Sequence, residues 1–240
     1  MTTEESYPKL ISLAVHELRS PVSVVGGYLR MLQRDQEVPL SERHQKLVTE
    51  AEKSCARLVA LIAELSEIGK IDDGLVALSA GGMDLFPLML EVAGSVHEAS
   101  DRGVSLEVRG QQEGAKMTGD AARLRAAFGA IFHSLLRELP GPCVMVAERR
   151  LVRNDGENSA VIIVAQEDSV QAAYDAPAGA FDEKRGGVGL SLPIARRVIE
   201  AHGGRLWSPA VARDSGAAGP GAIDERAARS AAVIAFPLKD

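Results

Sequence analysis

The first 70 residues are dominated by apolar positions that recur three or four residues apart. Between residues 9 and 33 these positions are Leu10, Leu13, Ala14, Leu18, Val22, Val25, Leu29 and Leu32. This spacing predicts one helix, which Pro21 should bend because proline lacks a backbone N–H. A second apolar run extends from residue 42 to about residue 70. Ser41 precedes it and can cap the N-terminus of a second helix.

The two predicted helices should form an antiparallel hairpin, because only the polar stretch QRDQEVP and a few neighbouring residues separate them. Apolar residues of the second helix follow near-heptad spacing: Leu47, Ala51, Cys55, Leu58, Ile62 and Leu65. One hairpin cannot bury two apolar stripes by itself. We therefore expect two copies of the chain to pair into a four-helix bundle.

Further along the chain, short strand patterns alternate with helical patterns. Strands are predicted at 104–108, 143–147, 160–164 and 231–238, and helices at 85–99, 121–139 and 192–202. Antiparallel strands with helices between them indicate an α+β sandwich. Residues 209–228, rich in Gly, Ala, Pro and charge, should form a long mobile loop. The predicted organisation is a tail at 1–8, a helical hairpin at 9–76 and a second domain at 83–240.

Composition narrows the classes of function. With a net charge of −6, the chain is not expected to bind nucleic acid or an anionic membrane by electrostatic attraction. No apolar run approaches the ~18 residues that a membrane span requires, and the N-terminus is acidic and polar. The two cysteines, Cys55 and Cys143, lack metal-site spacing and are expected to be free thiols. These features predict a cytoplasmic protein.

The first candidate for chemistry is His16, which is followed by Glu17 and, four residues on, by Ser20 on the same helical face. A neutral imidazole nitrogen is nucleophilic near pH 7 and can accept a phosphoryl group. An adjacent carboxylate can orient the ring and take its other proton. A lone histidine on a helix is usually just solvated, so the surrounding sequence decides between the two interpretations.

That surrounding sequence, AVHELRSPVSVVGGYLRML, resembles the phospho-acceptor box of bacterial two-component sensor histidine kinases. The run RLVALIAELSEIGKIDDG resembles the partner helix of the same dimerisation domain. The resemblance implies that His16 is the phosphoryl acceptor and Glu17 its acid/base partner. Ser20 falls where such kinases often place a Thr or Asn that positions water for dephosphorylation of a regulator.

A second motif, GGVGLSL at 186–192, places a glycine-rich turn before a helix, which suits phosphate binding. Together with PIARRVIEAHGGRLW it resembles the second glycine box of the ATP-binding domain shared by histidine kinases, Hsp90-type chaperones and MutL-type repair proteins. The resemblance implies an α/β sandwich of this ATPase class for the second domain. It also implies that Gly187 and Gly189 bind nucleotide, with ATP and Mg²⁺ as cofactors.

The middle of the second domain departs from the family pattern. The entry residues of one family helix are retained, namely Asp120, Arg123 and Leu124. The two asparagines expected within that helix fall on Ala130 and Ser134, which leaves Ser134 as a weak magnesium ligand. The basic residue that follows is retained as Arg137.

The adenine-binding box departs further. Where the family has Asp-x-Gly-x-Gly after a strand, the alignment places Gln166, Asp168 and Val170. Gln166 can accept a hydrogen bond without charge, and side chains replace both glycines. A slip of one or two residues would instead make Glu167 or Asp168 the adenine acceptor. We therefore expect a weakened ATP site.

Three functions fit these observations. The first is a phosphotransferase in which His16 exchanges a phosphoryl group with the receiver domain of a response regulator. The second is an active ATP-dependent sensor kinase core. The third is a dimeric pseudokinase without catalysis that regulates a partner such as a sensor kinase. The intact acceptor box beside a degraded nucleotide box favours the first, whereas the glycine-rich motif and Arg137 favour the second.

Overall fold

The computed structural model describes residues 3–97, 99–154, 156–211 and 223–238. The chain divides into two compact units, residues 1–77 and residues 78–240. Each unit has its own elements and its own buried residues. No helix within the described ranges is both long enough and apolar enough to cross a lipid bilayer.

The first unit is the predicted helical hairpin. Helix α1 spans Thr3–Arg34 and helix α2 spans Glu42–Asp72. Helix α1 begins six residues before the predicted start and passes through Pro21 without ending. The hydroxyl of Ser41 accepts the backbone N–H of His44 at 3.4 Å and caps α2 as predicted. The small core between the helices consists of Ile11, Val15 and Ile62, with Val22 and Leu65 packed against it.

Two glycines allow the hairpin helices to approach closely. A Cβ atom on Gly26 would lie 3.1 Å from Cys55 Sγ, and one on Gly69 would lie 3.3 Å from a methyl carbon of Ile11. The Cys55 thiol also donates to the backbone oxygen of Val22 at 3.3 Å. Position 11 therefore faces position 69 and position 26 faces position 55, which is antiparallel packing.

The second unit contains a six-stranded sheet with the order β2-β4-β5-β8-β7-β6, and a separate antiparallel pair, β1 with β3. The strands are β1 Gly81–Asp84, β2 Val104–Gly110, β3 Lys116–Gly119, β4 Cys143–Asn154, β5 Glu157–Gln166, β6 Ala178–Gly179, β7 Arg205–Pro209 and β8 Ala232–Leu238. The helices are α3 Leu85–Ser95, α4 Ala121–Glu138, α5 Val170–Asp175, α6 Ser191–Ala201 and α7 Glu225–Arg229. Neighbouring strands of the large sheet are antiparallel except for β2 and β4, which are parallel.

The sheet is buried on both faces. Helix α4 packs against one face, where Phe128 stacks with Phe132 at 6.3 Å and meets Phe236 of β8 edge-on at 6.5 Å between ring centroids. The residues of β5 alternate between faces. Val161 and Ile163 point to the other face and join a cluster that includes residues of α5 and α7. This arrangement is the predicted α/β sandwich.

Several boundaries differ from the expectations. Helix α3 ends at Ser95, four residues early, and β4 and β5 extend beyond their predicted ends as a long hairpin. Helix α7 lies inside the segment predicted as a mobile loop, while residues 212–222 of that segment lie outside the described residues. The short strands β1, β3 and β6 and helix α5 were not predicted, because each has too few residues to show a periodic pattern.

Candidate functional site

His16 lies about midway along α1 with its side chain 83% exposed. Its Nδ1 atom is 3.1 Å from Oε1 of Glu17, whose side chain is also exposed. A carboxylate can only accept, so this contact favours the tautomer with the proton on Nδ1. That tautomer leaves a lone pair on Nε2, and among the described residues no hydrogen-bonding partner contacts Nε2. Ser20 is exposed one turn further along the helix.

The glycine-rich motif forms the expected turn before α6. Gly186, Gly187 and Gly189 have φ values of 67°, 59° and 70°, which only glycine adopts readily. The backbone N–H of Gly186 donates to Oε1 of Glu138 at 3.1 Å. The glycine that approaches α4 is therefore bonded to a carboxylate of the protein itself.

A cavity of about 620 Å³ opens beside this turn. It contains the predicted adenine-contacting residue, Gln166, whose Nε2 lies 3.4 Å from the hydroxyl of Ser230. Both acidic and basic side chains line it, and its lining residues are Glu138, Leu139, Pro140, Gln166, Asp182, Arg185, Glu225, Arg226, Arg229 and Ser230. Within the part of the chain that the structure describes, four predicted nucleotide-binding residues do not line this cavity: Ser134, Arg137, Gly187 and Gly189. The structure therefore brings only part of the predicted nucleotide site together.

Where the family pattern has a glycine-containing loop, this chain makes a helical turn. Glu167–Ser169 form a 3₁₀ turn after β5, and Val170 begins α5 with φ −58° and ψ −48°. Val170 is 6% exposed and belongs to the core cluster of that face. Asp168 accepts a bond from the hydroxyl of Ser169 at 2.9 Å and lines a second cavity of about 360 Å³, together with Gln166 and Cys143. The side chains that replace the glycines thus fit a different backbone path.

Ser134 is fully buried in α4, and its hydroxyl donates to the backbone oxygen of Ile131 at 2.9 Å. The turn lies directly on it, since a Cβ on Gly186 would come within 2.6 Å of Ser134 Cα. No group of three or more His, Cys, Asp or Glu side chains suited to a metal occurs within the described ranges. These residues do not fit a magnesium ion held at Ser134.

Neither Arg137 nor Cys143 is among the described residues that line the cavity of about 620 Å³. Arg137 is exposed in the last turn of α4, and its backbone oxygen accepts a bond from the Arg102 guanidinium at 3.1 Å. Cys143 is partly buried, and burial raises the pKa of its thiol, so its thiolate is disfavoured. Cys55 and Cys143 are both free thiols, as expected.

Sequence analysis missed one further residue of the site, Arg185. Its side chain lines the cavity and is 5% exposed, and burial lowers the pKa of its guanidinium. Carboxylates of Glu138 and Asp182 act against that shift. Position 185 could have been noticed because it directly precedes the glycine turn, but nothing in the sequence predicts burial of a charged residue in a loop.

Comparisons with known protein families, sequences and structures give consistent matches. Residues 9–74 match the family model for the His Kinase A (phospho-acceptor) domain. The chain is 28% identical over 200 residues to the signal transduction histidine-protein kinase BaeS of Escherichia coli (strain K12), which covers 80% of this chain and 41% of BaeS. The first curated relatives that it matches are all more than twice as long as the matched part.

Solved structures share the fold. Full-length ShkA in complex with AMPPNP aligns with a TM-score of 0.60 at 17% identity, over 96% of this chain and 45% of that chain. The histidine kinase ThkA in complex with the response regulator protein TrrA aligns with a TM-score of 0.52 at 15% identity, over 96% of this chain and 61% of that chain. At these identities the structures establish the architecture alone: a helical hairpin followed by an α/β sheet domain.

Proposed function

Because residues 9–74 match the His Kinase A (phospho-acceptor) domain and the chain is similar to sensor histidine kinases, we propose that it is a phosphotransferase of the two-component histidine kinase family. His16 carries the phosphoryl group and exchanges it with an aspartate of a response-regulator receiver domain. The ATP site is weakened, so the receiver rather than ATP is the main source of the phosphoryl group.

The environment of His16 carries this proposal. Its ring is exposed, its Nδ1 faces the Glu17 carboxylate, and its Nε2 is open to solvent. An exposed ring with a free Nε2 can receive the phosphoryl group of an acyl phosphate carried by another protein. Structural histidines usually bury the ring or engage both nitrogens, as His202 does: it accepts the Asp120 N–H on Nε2 at 2.9 Å, and its Nδ1 is 2.6 Å from Val198 O.

The transfer step follows from this geometry. The Nε2 lone pair attacks phosphorus, an N–P bond forms, and the bond between phosphorus and the receiver's aspartyl oxygen breaks, releasing the free carboxylate. The ring becomes cationic, with its proton still on Nδ1. The Glu17 carboxylate stabilises that charge or takes the proton. The reverse reaction uses the same groups, with the receiver aspartate as nucleophile.

The residues around the cavity beside Gln166 support the proposal that the ATP site is weakened. Gln166 offers a neutral acceptor to an adenine amino group, and a neutral hydrogen bond contributes about 1 kcal/mol against about 1.5–3 kcal/mol for a charged one. The 3₁₀ turn at Glu167–Ser169 and the burial of Ser134 remove further contacts expected of the family. Each loss of about 1.4 kcal/mol lowers affinity tenfold.

A second candidate function is autophosphorylation of His16 from ATP. The glycine turn before α6 retains three left-handed glycines, and a protein of the same fold, ShkA, was solved with AMPPNP bound. In this alternative the cavity beside Gln166 holds the nucleotide.

We further propose two partners: a second copy of the chain, through the hairpin, and a receiver domain. Numerous large apolar side chains of the hairpin are exposed in the single chain, among them Leu10, Leu13, Val24, Val25, Tyr28, Met31, Leu32, Leu47 and Leu58. Their burial against a second hairpin would complete a four-helix bundle. The free thiols of Cys55 and Cys143 suit the reducing cytoplasm, where we place the reaction.

The test presents two phosphoryl donors to the purified chain: γ-labelled ATP with Mg²⁺, and a panel of receiver domains phosphorylated beforehand with labelled acetyl phosphate. Acid-labile, base-stable label from a receiver but not from ATP is expected for the wild type. His16→Ala should lose it, whereas His44→Ala, an exposed histidine on the other helix of the hairpin, should keep it.

Label from ATP that depends on His16 would establish the second candidate. Absence of label from both donors would rule out phosphoryl transfer by His16 and leave a pseudokinase that acts through binding.

A further inference from the structure

One buried arginine connects the segment before the glycine turn to the body of the second unit. We define the clamped segment as residues 181–187. The Arg185 guanidinium donates to the backbone oxygens of Asp182 at 3.0 Å, Ala231 at 3.4 Å and Arg229, and to the hydroxyl of Ser208 at 2.9 Å. These acceptors belong to the segment itself, to β7, to the end of α7 and to the connection between α7 and β8.

A second set of contacts connects the clamped segment to α6. The ring of Phe181 lies under two guanidinium groups, with centroid distances of 4.5 Å to Arg185 and 5.9 Å to Arg196. Arg196 also donates to the backbone oxygen of Phe181 at 3.1 Å and forms an ion pair with Glu183. Phe181 is 5% exposed, so this cation–π stacking is largely desolvated and correspondingly strong.

The end of the clamped segment is joined to α4. Gly186 donates its N–H to Glu138 and rests on the backbone of Ser134, with no space for even a methyl group between them. The carboxylates of Glu138 and Asp182 supply the negative charge nearest to Arg185. Lifting the segment would leave a buried cation and several carbonyl groups without partners, which is costly.

We propose that Arg185 holds the clamped segment closed in the absence of nucleotide. Protein groups supply the contacts that fix this segment against α4, α6 and β7, so the second unit reaches its final packing with no ligand in the cavity beside Gln166. This property does not depend on phosphoryl transfer by His16, since the residues that carry it all belong to the second unit.

Hydrogen–deuterium exchange of the full chain, followed by mass spectrometry, tests this proposal. Without nucleotide, wild-type peptides that cover 181–187 should exchange slowly, because the amides of Lys184 and Gly186 are hydrogen-bonded to Asp182 and Glu138. Addition of AMPPNP and Mg²⁺ should leave that rate unchanged. Exchange at the rate of an unstructured peptide, or a decrease of about tenfold or more on adding AMPPNP, would overturn the proposal.

Variants locate the effect. Arg185→Lys keeps the charge but loses the five-donor fork and should speed exchange of the clamped segment about tenfold, while peptides of α3 stay protected. Ser208→Ala removes one acceptor and serves as the milder variant if Arg185→Lys does not fold. Arg226 is an exposed arginine of the same cavity, and Arg226→Ala should leave the exchange rate of the clamped segment at the wild-type value. Equal exchange in Arg185→Lys, Ser208→Ala and wild type would show that another group holds the segment.

Discussion

Access to solvent distinguishes two of the side chains for which the sequence suggested a part in phosphate chemistry. His16 is 83% exposed, and one ring nitrogen is oriented by the next residue. Ser134 is fully buried, and its hydroxyl is bonded to its own helix. Reaction with another protein requires exposure, and coordination of an ion requires an open cavity. Of the two, His16 is placed for reaction.

Glu17 allows a test of the acid/base role at His16. Glu17→Gln keeps the size of the side chain but cannot take a proton or balance a cationic ring, so we expect phosphoryl transfer from a receiver to slow by about 10²-fold. The initial rate of label transfer measures the effect. Glu37→Gln, at an exposed position in the hairpin turn, is the control. An unchanged rate in Glu17→Gln would show that solvent can replace the carboxylate.

The capping carboxylate of α4, Asp120, should make stability depend on pH. It accepts the backbone N–H of Arg123 at 3.1 Å and that of Ser79 at 3.2 Å, and these bonds, the one from Arg123 foremost, lower the pKa of the carboxyl. We expect Asp120→Ala to lower the free energy of unfolding by about 1–2 kcal/mol near neutral pH. Denaturant unfolding followed by the fluorescence of Trp207, the single tryptophan, gives the value.

The sign of the pH effect follows from the lowered pKa. The contribution of Asp120 is complete above the unfolded-state pKa of about 4 and is lost as the pH falls through the lower folded-state pKa. The difference in unfolding free energy between wild type and Asp120→Ala should therefore become smaller in acid. Asp224→Ala removes the cap of the short helix α7 and should lower the free energy of unfolding by less than Asp120→Ala does. If the difference in unfolding free energy did not change with pH, Asp120 would act by packing alone.

Among elements, the glycine turn and the helical turn after β5 illustrate how one motif kept its expected backbone and the other changed. The turn at 186–189 retains positive φ angles at its glycines. After β5 the glycines are replaced, and the chain enters a 3₁₀ turn and then α5, conformations that any L-residue can adopt. Local residue type determined both outcomes.

Neighbouring glycines of the turn provide a matched pair of variants. Gly186→Ala meets both a left-handed backbone and the backbone of Ser134, whereas Gly187→Ala has a similar φ but no atom within 4 Å. The left-handed conformation alone costs about 1–2 kcal/mol, and overpacking adds about 1–3 kcal/mol. We expect Gly186→Ala to lose roughly twice as much unfolding free energy as Gly187→Ala, measured by Trp207 fluorescence. Equal losses would show that the turn does not press on α4.

For the whole molecule, the exposed apolar side chains of the hairpin predict self-association. Leu13 is 58% exposed on α1, and Leu90, on α3 of the second unit, is 48% exposed. Leu13→Glu should convert a dimer to monomers in analytical ultracentrifugation, because a charge cannot be buried unpaired in a bundle core. Leu90→Glu is the control and should remain dimeric. A monomeric wild type would contradict the four-helix bundle.

Local sequence by itself determined much of this protein. Helical periodicity and the Ser41 cap predicted the hairpin, and short apolar runs predicted the strands β2, β4, β5 and β8. These predictions were possible because the patterns depend on residues close together in the chain. The position of His16 beside Glu17 was likewise readable, since neighbours on a helix remain neighbours in space.

Tertiary structure decided the rest. The parallel pairing of β2 with β4, the burial of Ser134 under Gly186, and the contacts of Arg185 with Ser208 and Ala231 all join residues distant in sequence. No local pattern encodes such pairs. They result from which surfaces meet when the helices and strands pack, and in this protein that packing places a cation of the chain beside the cavity where the sequence predicted a nucleotide.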